Sequence, residues 1–311
     1  MHFDGTIWRP PYEAASLLIQ ATAGCTHHAC KFCTLYDDLP FKFRMSPLKD
    51  IESDLLEIQV LKTEPMAALS ARLQRLLKPS DIRRVFLVGA NPFVLQFERL
   101  KTIAELIRRY LPTVQTIGCF ARVTDVPPKS DDELAELHCL GYDGLTIGVE
   151  TGDDAALAFM NKGYSAETII KQAERLDRAQ ISYNFFYLAG ISGAGRGKEG
   201  ALKSAEAFNR THPKIIGSSM LTIFPESQLY QEIQRGAWAE ESEIEKLMEL
   251  RTLIDHLTIK TQFATEGASN LVRVFGNLPA DREKLVQGLD RLIRGADEPA
   301  LREYRTSLKH L

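Results

Sequence analysis

The chain has 311 residues, of which 44% are hydrophobic and 25% charged, enough apolar material to bury a large core without help from disulfides or metals. Thirty-eight Lys and Arg against 41 Asp and Glu give a formal charge of -3, which offers no electrostatic footprint for nucleic acid, whose binding domains usually carry a concentrated basic surface, while leaving local basic patches open. The opening MHFDGTIWRPPYEAASLLIQ has no basic stretch followed by a long apolar run and a small-residue cleavage site, and no later apolar run approaches the ~20 residues of a membrane span. These features predict a cytoplasmic protein without nucleic-acid or membrane partners.

In chain order, short β-branched runs alternate with helical segments at intervals close to the ~30 residues of a strand–helix–strand unit. Strands are expected near 16–22, 84–89, 115–121, 144–149, 181–188 and 215–224. Between them, 97–110, 131–140, 165–179 (with Ser165 as N-cap and Glu167 following) and 197–211 repeat apolar residues at helical spacing. Past the last strand, FPESQLYQEIQRG, 240–260 and 281–295 read as three more helices, joined by the Asn/Gly-rich EGASNLVRVFGNLPAD. The rhythm predicts an α/β fold with a parallel sheet: a partial (β/α)6 barrel over residues 1–225 and a helical C-terminal extension over 226–311 packed on it. No repeat or flexible linker marks a second independent domain.

Three of the five cysteines, Cys25, Cys30 and Cys33, lie within AGCTHHACKFCTLYDD, after the first strand, where parallel α/β sheets place their active sites. Three soft thiolates suit zinc or an iron–sulfur cluster. His27 or His28 could complete a Cys3His zinc set, but both stand between the first two cysteines with little backbone slack, and a closed zinc site usually draws its second ligand pair from elsewhere. The odd cysteine count fits a reducing compartment better than a disulfide framework.

The segment resembles the radical S-adenosylmethionine (radical SAM) superfamily, in the group similar to anaerobic coproporphyrinogen dehydrogenases and the elongator catalytic subunit. The usual C-x3-C-x2-C has one additional residue in its first gap here, while the aromatic residue before the last cysteine is kept as Phe32. CKFCTLYDDLPFKFRMSP, VFLVGANPFVL, CFARVTDV, LTIGVETGDD and MNKGYSAETI extend the likeness over roughly residues 15–280. The resemblance implies a 4Fe-4S cluster on the three cysteines, one iron left open to S-adenosylmethionine, an electron donor such as flavodoxin or ferredoxin, and a small-molecule substrate. It also implies that Gly89, Ala90 and Asn91 form a turn holding the methionine ammonium, with Asn91 where related chains carry an acid, so that carbonyl oxygens would do the work. Pro92 beside Gly89 is equally consistent with an ordinary turn.

Arg122 and Glu150 end the third and fourth expected strands as charged residues at the barrel mouth. An arginine there can grip a carboxylate and a glutamate can accept from ribose hydroxyls or an ammonium; the two could equally pair with each other. Phe32 and Leu188 complete the implied cofactor contacts, Leu188 heading LAGISGAGRG, a loop that approaches adenine through its backbone or is simply mobile. Cys139 reads as a small buried hydrophobe, and Cys119 as core with a redox role open. Tyr36, Tyr183, Tyr187 and Thr222 are pocket candidates by location, and the TEGASN turn suggests substrate contact. A zinc-stabilised binding protein, or a cluster-bearing binding or electron-transfer protein, stands as the alternative to a radical enzyme.

Overall fold

The short β-branched and aromatic runs form strands that are buried almost continuously rather than in alternation. The computed structural model describes residues 1–63 and 82–308. The six expected strands are β1 (Leu17–Gln20), β4 (Arg84–Val88), β5 (Thr116–Ala121), β6 (Leu145–Glu150), β7 (Tyr183–Ala189) and β8 (Ile215–Met220). The cysteine loop is bracketed by a further hairpin, β2 (Thr22–Gly24) and β3 (Phe43–Met45), and the chain adds β9 (Thr261–Thr265) and β10 (Phe275–Leu278). Eight of these share one open sheet in the order β1-β4-β5-β6-β7-β8-β9-β10. The β1–β4, β4–β5, β7–β8 and β8–β9 pairs run parallel and β10 runs antiparallel to β9. The mostly parallel sheet agrees with a partial barrel. Of its last two strands β9 falls between the expected helix at 240–260 and the expected loop, and β10 within that loop, because five- and four-residue strands carry too few residues to establish a period.

Among the described residues the helices are α1 (Leu48–Thr63), α2 (Phe97–Tyr110), α3 (Asp131–Cys139), α4 (Asp154–Phe159), α5 (Ala166–Arg178), α6 (Gly197–Phe208), α7 (Gln228–Gln234), α8 (Glu243–His256), α9 (Arg282–Arg294) and α10 (Glu298–Ser307). The predicted cap of α5 forms, Ser165 Oγ accepting from the Thr168 N–H at 3.2 Å. Ser130 and Ser242 cap α3 and α8 in reciprocal boxes with Glu133 and Glu245. No helix among the described residues is long and apolar enough to cross a membrane.

The chain divides into two compact units. One comprises Met1–His28, Tyr36–Thr146 and Arg178–Ile181, and the other Ala29–Leu35, Ile147–Asp177 and Ser182–Leu311. In the first, Ile103, Ala104 and Ile107 of α2 are buried with Val85 and Leu87 of β4. At the start of β4, Arg84 closes on Glu13 at 2.6 Å and on Thr116 at 3.0 Å. In the second, Phe208 of α6 packs on Phe185 of β7 with ring centroids 5.3 Å apart, and α8 seals the same side.

Candidate functional site

In the first unit, the β2–β3 hairpin fixes the base of the cysteine loop. Its register pairs Gly24 with Phe43, and the Cys25 N–H donates to the Lys42 carbonyl at 3.0 Å. Gly24 has φ 73°, and a Cβ there would stand 2.2 Å from the Lys42 oxygen. Only glycine permits both the backbone conformation and this approach. Gly89, at the exit of β4, meets a comparable restriction: φ is 126°, and a Cβ would lie 2.1 Å from Thr22 Oγ1 and 2.3 Å from the Thr22 carbonyl. Thr22 Oγ1 is buried and finds no hydrogen-bond partner among the described residues.

Asn91 is fully buried. Its Nδ2 donates to Thr26 Oγ1 at 2.9 Å and to both Asp125 oxygens at 3.1 Å, and its Oδ1 accepts from the Thr26 N–H at 3.4 Å. The amide thus braces the turn that it was expected to help form. Arg122, half-buried, donates its N–H to Asp125 at 2.7 Å and its guanidinium to Thr124 at 3.0 Å. Asp125 was not among the sequence candidates. Burial pushes its carboxyl up to about 6, against the opposing pull of the Arg122 N–H and Asn91 hydrogen bonds and of the Arg122 and Lys129 charges. Lys129, also buried, donates to the Phe93 and Asp125 carbonyls at 2.7 and 3.0 Å, and burial draws its ammonium down to about 8 although Asp125 and Cys119 oppose this. The signal for Asp125 was local: an acid three residues after Arg122 can accept from its backbone N–H at the start of the turn Val123–Asp125.

Cys119 is buried, and desolvation pushes its thiol well above its ordinary range. Its neighbour Phe120 stacks edgewise on Phe86 with ring centroids 5.2 Å apart. Core packing accounts for Cys119. Cys139, expected to be buried, is exposed at the end of α3 because the helix turns that position away from Leu134 and Leu137.

In the second unit, Cys30 and Cys33 close a tight turn through a Cys33 N–H to Cys30 carbonyl bond of 3.1 Å. The turn is tied down on both sides: the Lys31 N–H donates to Met160, the Lys31 carbonyl accepts from the Leu229 N–H at 2.7 Å, and Lys31 Nζ reaches Glu232 at 2.8 Å. Phe32 packs against a cluster containing Leu188, Met160, Ile191 and Leu221. Two of the residues implied by the resemblance, Phe32 and Leu188, are thus brought together.

Glu150 ends β6 at φ 62° with its carboxylate folded back over Gly148. Its ion-pair partner is Lys162, 3.0 Å away and equally buried. Burial lowers the Lys162 ammonium, but Glu150, Tyr164 and Cys30 outweigh that and hold it well above its usual value. The Lys162 ammonium also stands 5.7 Å from the centre of the Phe32 ring. Lys162 in MNKG passed unnoticed in the sequence, where twelve residues separate it from Glu150.

The loop after β7 is pinned. The Gly190 N–H donates to Glu249 at 2.6 Å, the Ala194 N–H to the Ala239 carbonyl at 2.9 Å and the Gly195 N–H to Glu245 at 3.0 Å. Its glycines let it lie against α8 and Trp238. Of the other candidates, Tyr183 and Tyr187 are buried on the helix-covered side, bonded to Asp177 and Glu249. Thr222 accepts from Arg305 at 2.9 Å. In TEGASN, the Ser269 carbonyl also accepts from Arg305, and Asn270 Nδ2 bonds the Ser218 and Glu266 carbonyls.

The three loop thiols are all half-buried and free of disulfides. Among the described residues no three His, Cys, Asp or Glu side chains are already gathered as a metal site. An open depression of about 430 Å³ lies in the first unit beside the loop, lined by His28, Asp37, Leu39, Pro40, Phe41 and Lys42. His28, at φ 44°, is held there by Asp37 at 2.8 Å, so its ring is engaged.

A mostly parallel α/β sheet with three cysteines, none in a disulfide, in a loop following its first strand defines a class of protein, and comparison with known families agrees. The radical SAM superfamily model matches residues 19–194, more than half of the chain. The chain belongs to the radical SAM superfamily, a superfamily of enzymes. It is 23% identical over 160 residues to the heme chaperone HemW of Bacillus subtilis (strain 168), a match covering 50% of this chain and 41% of that protein. Among solved structures, the archaeal Elp3 of Methanocaldococcus infernus is similar at TM-score 0.51 and 14% identity, covering 80% of this chain and 60% of that one. The coproporphyrinogen III oxidase HemN of Escherichia coli is similar at TM-score 0.51 and 13% identity, covering 89% and 69%. The methyltransferase TsrM of Kitasatospora setae, solved with cobalamin and a [4Fe-4S] cluster, is similar at TM-score 0.53 and 16% identity, covering 71% and 37%. At these identities the likeness is one of fold, and the chain spans less than half the length of its curated relative.

Proposed function

We propose that this protein is a radical SAM enzyme whose [4Fe-4S] cluster is held by Cys25, Cys30 and Cys33. The observation that carries the reading is the family match over residues 19–194, which encloses a loop of three half-buried cysteines outside any disulfide. The donor set fits: three soft ligands suit iron–sulfur ligation, and the ligating geometry would form with the cluster, as metal-coupled sites commonly do. The three thiols leave one iron without a cysteine, where S-adenosylmethionine binds.

Cys25, Cys30 and Cys33 would hold the cluster, which, reduced by a donor such as flavodoxin or ferredoxin, would supply the electron for reductive cleavage of S-adenosylmethionine to methionine and a 5′-deoxyadenosyl radical that takes hydrogen from a small-molecule substrate. The chain's own residues hold and shield. The backbone at Gly89 and Ala90, set by the close approach to Thr22, offers polar groups to the methionine moiety, while Asn91 and Asp125 keep that turn rigid. Arg122 and Glu150 are the charged cofactor contacts, Glu150 being poised by Lys162. Phe32 and Leu188 supply apolar cover that keeps water and oxygen from the reacting atoms. Residues 1–225 are the catalytic core and 226–311 its extension, in a cytoplasmic, oxygen-sensitive protein.

The test is anaerobic reconstitution followed by incubation with S-adenosylmethionine and dithionite. About four irons per chain and slow release of 5′-deoxyadenosine are expected. A fully loaded cluster that binds S-adenosylmethionine but yields no 5′-deoxyadenosine, with dithionite or with a flavodoxin system, would favour a cluster-bearing binding protein. Zinc in place of iron would remove both readings.

A further inference from the structure

The segment after α4 is fastened to the cysteine loop. Asn161, at φ 58°, closes α4, with its N–H on the Ala158 carbonyl at 3.1 Å and the Lys162 N–H on the Leu157 carbonyl at 3.0 Å, the paired bonds of a Schellman motif. Asparagine tolerates that left-handed turn. From it, Asn161 Nδ2 donates to the Ala29 carbonyl at 3.0 Å, and the Lys31 N–H donates to the Met160 carbonyl at 3.2 Å. These bonds fix the place of Lys162 relative to the loop.

Lys162 is buried, its ammonium 3.0 Å from Glu150 Oε1 and 5.7 Å from the centre of the ring of Phe32, the residue preceding Cys33. The Glu150 carboxylate folds back over Gly148 of β6, so the ammonium is the charge of the pair that faces the loop. Cys30 is among the groups that hold it protonated. The loop's own Lys31 turns instead to Glu232 at 2.8 Å and is only half-buried, where solvent and salt screen its charge more.

We propose that Lys162 is a positioning residue that acts by its charge: its buried ammonium, anchored by Glu150, raises the reduction potential of the cluster held at Cys30 and Cys33. The inference rests on the radical-enzyme reading, which puts the cluster on this loop. Reduction by a flavodoxin or ferredoxin transfers one electron and makes or breaks no bond, so it adds one negative charge to a site already held by thiolates. A cation fixed nearby in a poorly screened interior offsets that charge, and local charge is one of the levers that set a cluster's potential. Glu150 opposes from behind the ammonium. The pair leaves a net positive influence on the loop, and removing its two members one at a time moves the potential in opposite directions.

The test is a redox titration of the reconstituted full chain, read by electron paramagnetic resonance, without S-adenosylmethionine so that cosubstrate binding does not enter. Lys162→Arg keeps the charge and should match wild type. Lys162→Met should lower the reduced-to-oxidised ratio at a fixed applied potential about tenfold, equivalent to about 59 mV for a one-electron couple, whereas Glu150→Gln should raise that ratio. The double variant strands no charge, so it carries the sign test if Lys162→Met fails to fold, and its potential should lie below that of wild type. Iron and sulfide content establishes that each variant is loaded. Unchanged potentials in fully loaded variants, or shifts of Lys162→Met and Glu150→Gln in the same direction, overturn the inference and leave the radical-enzyme reading intact. Opposite shifts in a protein that yields no 5′-deoxyadenosine do the reverse, and a wild-type chain that assembles no cluster removes both.

Discussion

Lys162 Nζ lies 3.0 Å from Glu150 Oε1, with the two side chains only 5% and 10% exposed. Twelve residues of chain, including α4, separate them, so the pair ties the end of β6 to the segment that follows α4. Removing one member of such a pair strands a buried charge, whereas removing both does not. Lys162→Met should therefore lower stability by about 3–5 kcal/mol, and Lys162→Met combined with Glu150→Gln should recover much of that loss. Urea denaturation of the two single variants and the double variant measures the coupling. Additive losses would show that the two charges do not depend on each other.

The cysteines make an asymmetric prediction. Replacing any one of Cys25, Cys30 or Cys33 with Ala should abolish cluster assembly, because a three-thiolate site has no spare ligand. Cys139→Ala, at an exposed helix end, should leave iron content unchanged, as should Cys119→Ala, whose thiol is enclosed by core. Iron and sulfide analysis after reconstitution checks all five. Full iron content surviving the loss of Cys30 would place the cluster elsewhere.

What the sequence disclosed was local. Cys25, Cys30 and Cys33 share nine positions, so their meaning could be read without knowing the fold. β1, β4, β5, β6, β7 and β8 are dense enough in β-branched and aromatic residues to be placed to within two residues at every end but one, β8 stopping four residues short of its expected end. Helix α1 escaped because its apolar and charged residues are poorly segregated along Leu48–Thr63, and β9 and β10 because short strands resemble loop. The side chains that brace the candidate site were hidden for a different reason. Asp125 meets Asn91 across 34 positions, and Glu249 meets Gly190 across 59. Only tertiary packing decides which buried acid finds which donor.

Gly24 yields a prediction about the cluster that touches none of its ligands. A methyl group at this position would sit 2.2 Å from the Lys42 carbonyl on a backbone of φ 73°, a conformation that costs a non-glycine residue about 1–2 kcal/mol before any clash. Gly24→Ala should open the β2–β3 hairpin at the root of the loop. Iron loading should fall several-fold with all three cysteines present, while Gly195→Ala, where φ is 75° but the space is empty, should cost stability without affecting loading. Normal loading of Gly24→Ala would mean that the hairpin does not organise the loop.

The last prediction concerns two buried carboxyls behind β7. Glu249 is fully buried and accepts from the Tyr187 hydroxyl and the Gly190 N–H. Glu241 is also fully buried, and neither of its oxygens has a hydrogen-bond partner among the described residues. Burial, reinforced by the Glu249 charge, pushes Glu241 up to about 10, and burial raises Glu249 to about 7 against the pull of its own hydrogen bonds and of Lys246. In the unfolded chain both release their protons near the ordinary glutamate value of about 4.3. The folded state therefore binds more protons than the unfolded state above that value, and the stabilisation, complete at low pH, is lost as pH rises through about 7 and on to about 10. Between pH 7.5 and 9.5 one retained proton makes stability fall by about 1.4 kcal/mol per pH unit. Glu241→Gln keeps the shape and the neutral state but has no proton to lose, so its slope over that interval should be smaller by one proton. Urea unfolding at pH 7.5, 8.5 and 9.5 gives both slopes, and parallel lines for wild type and variant would mean that Glu241 is already ionised in the folded protein.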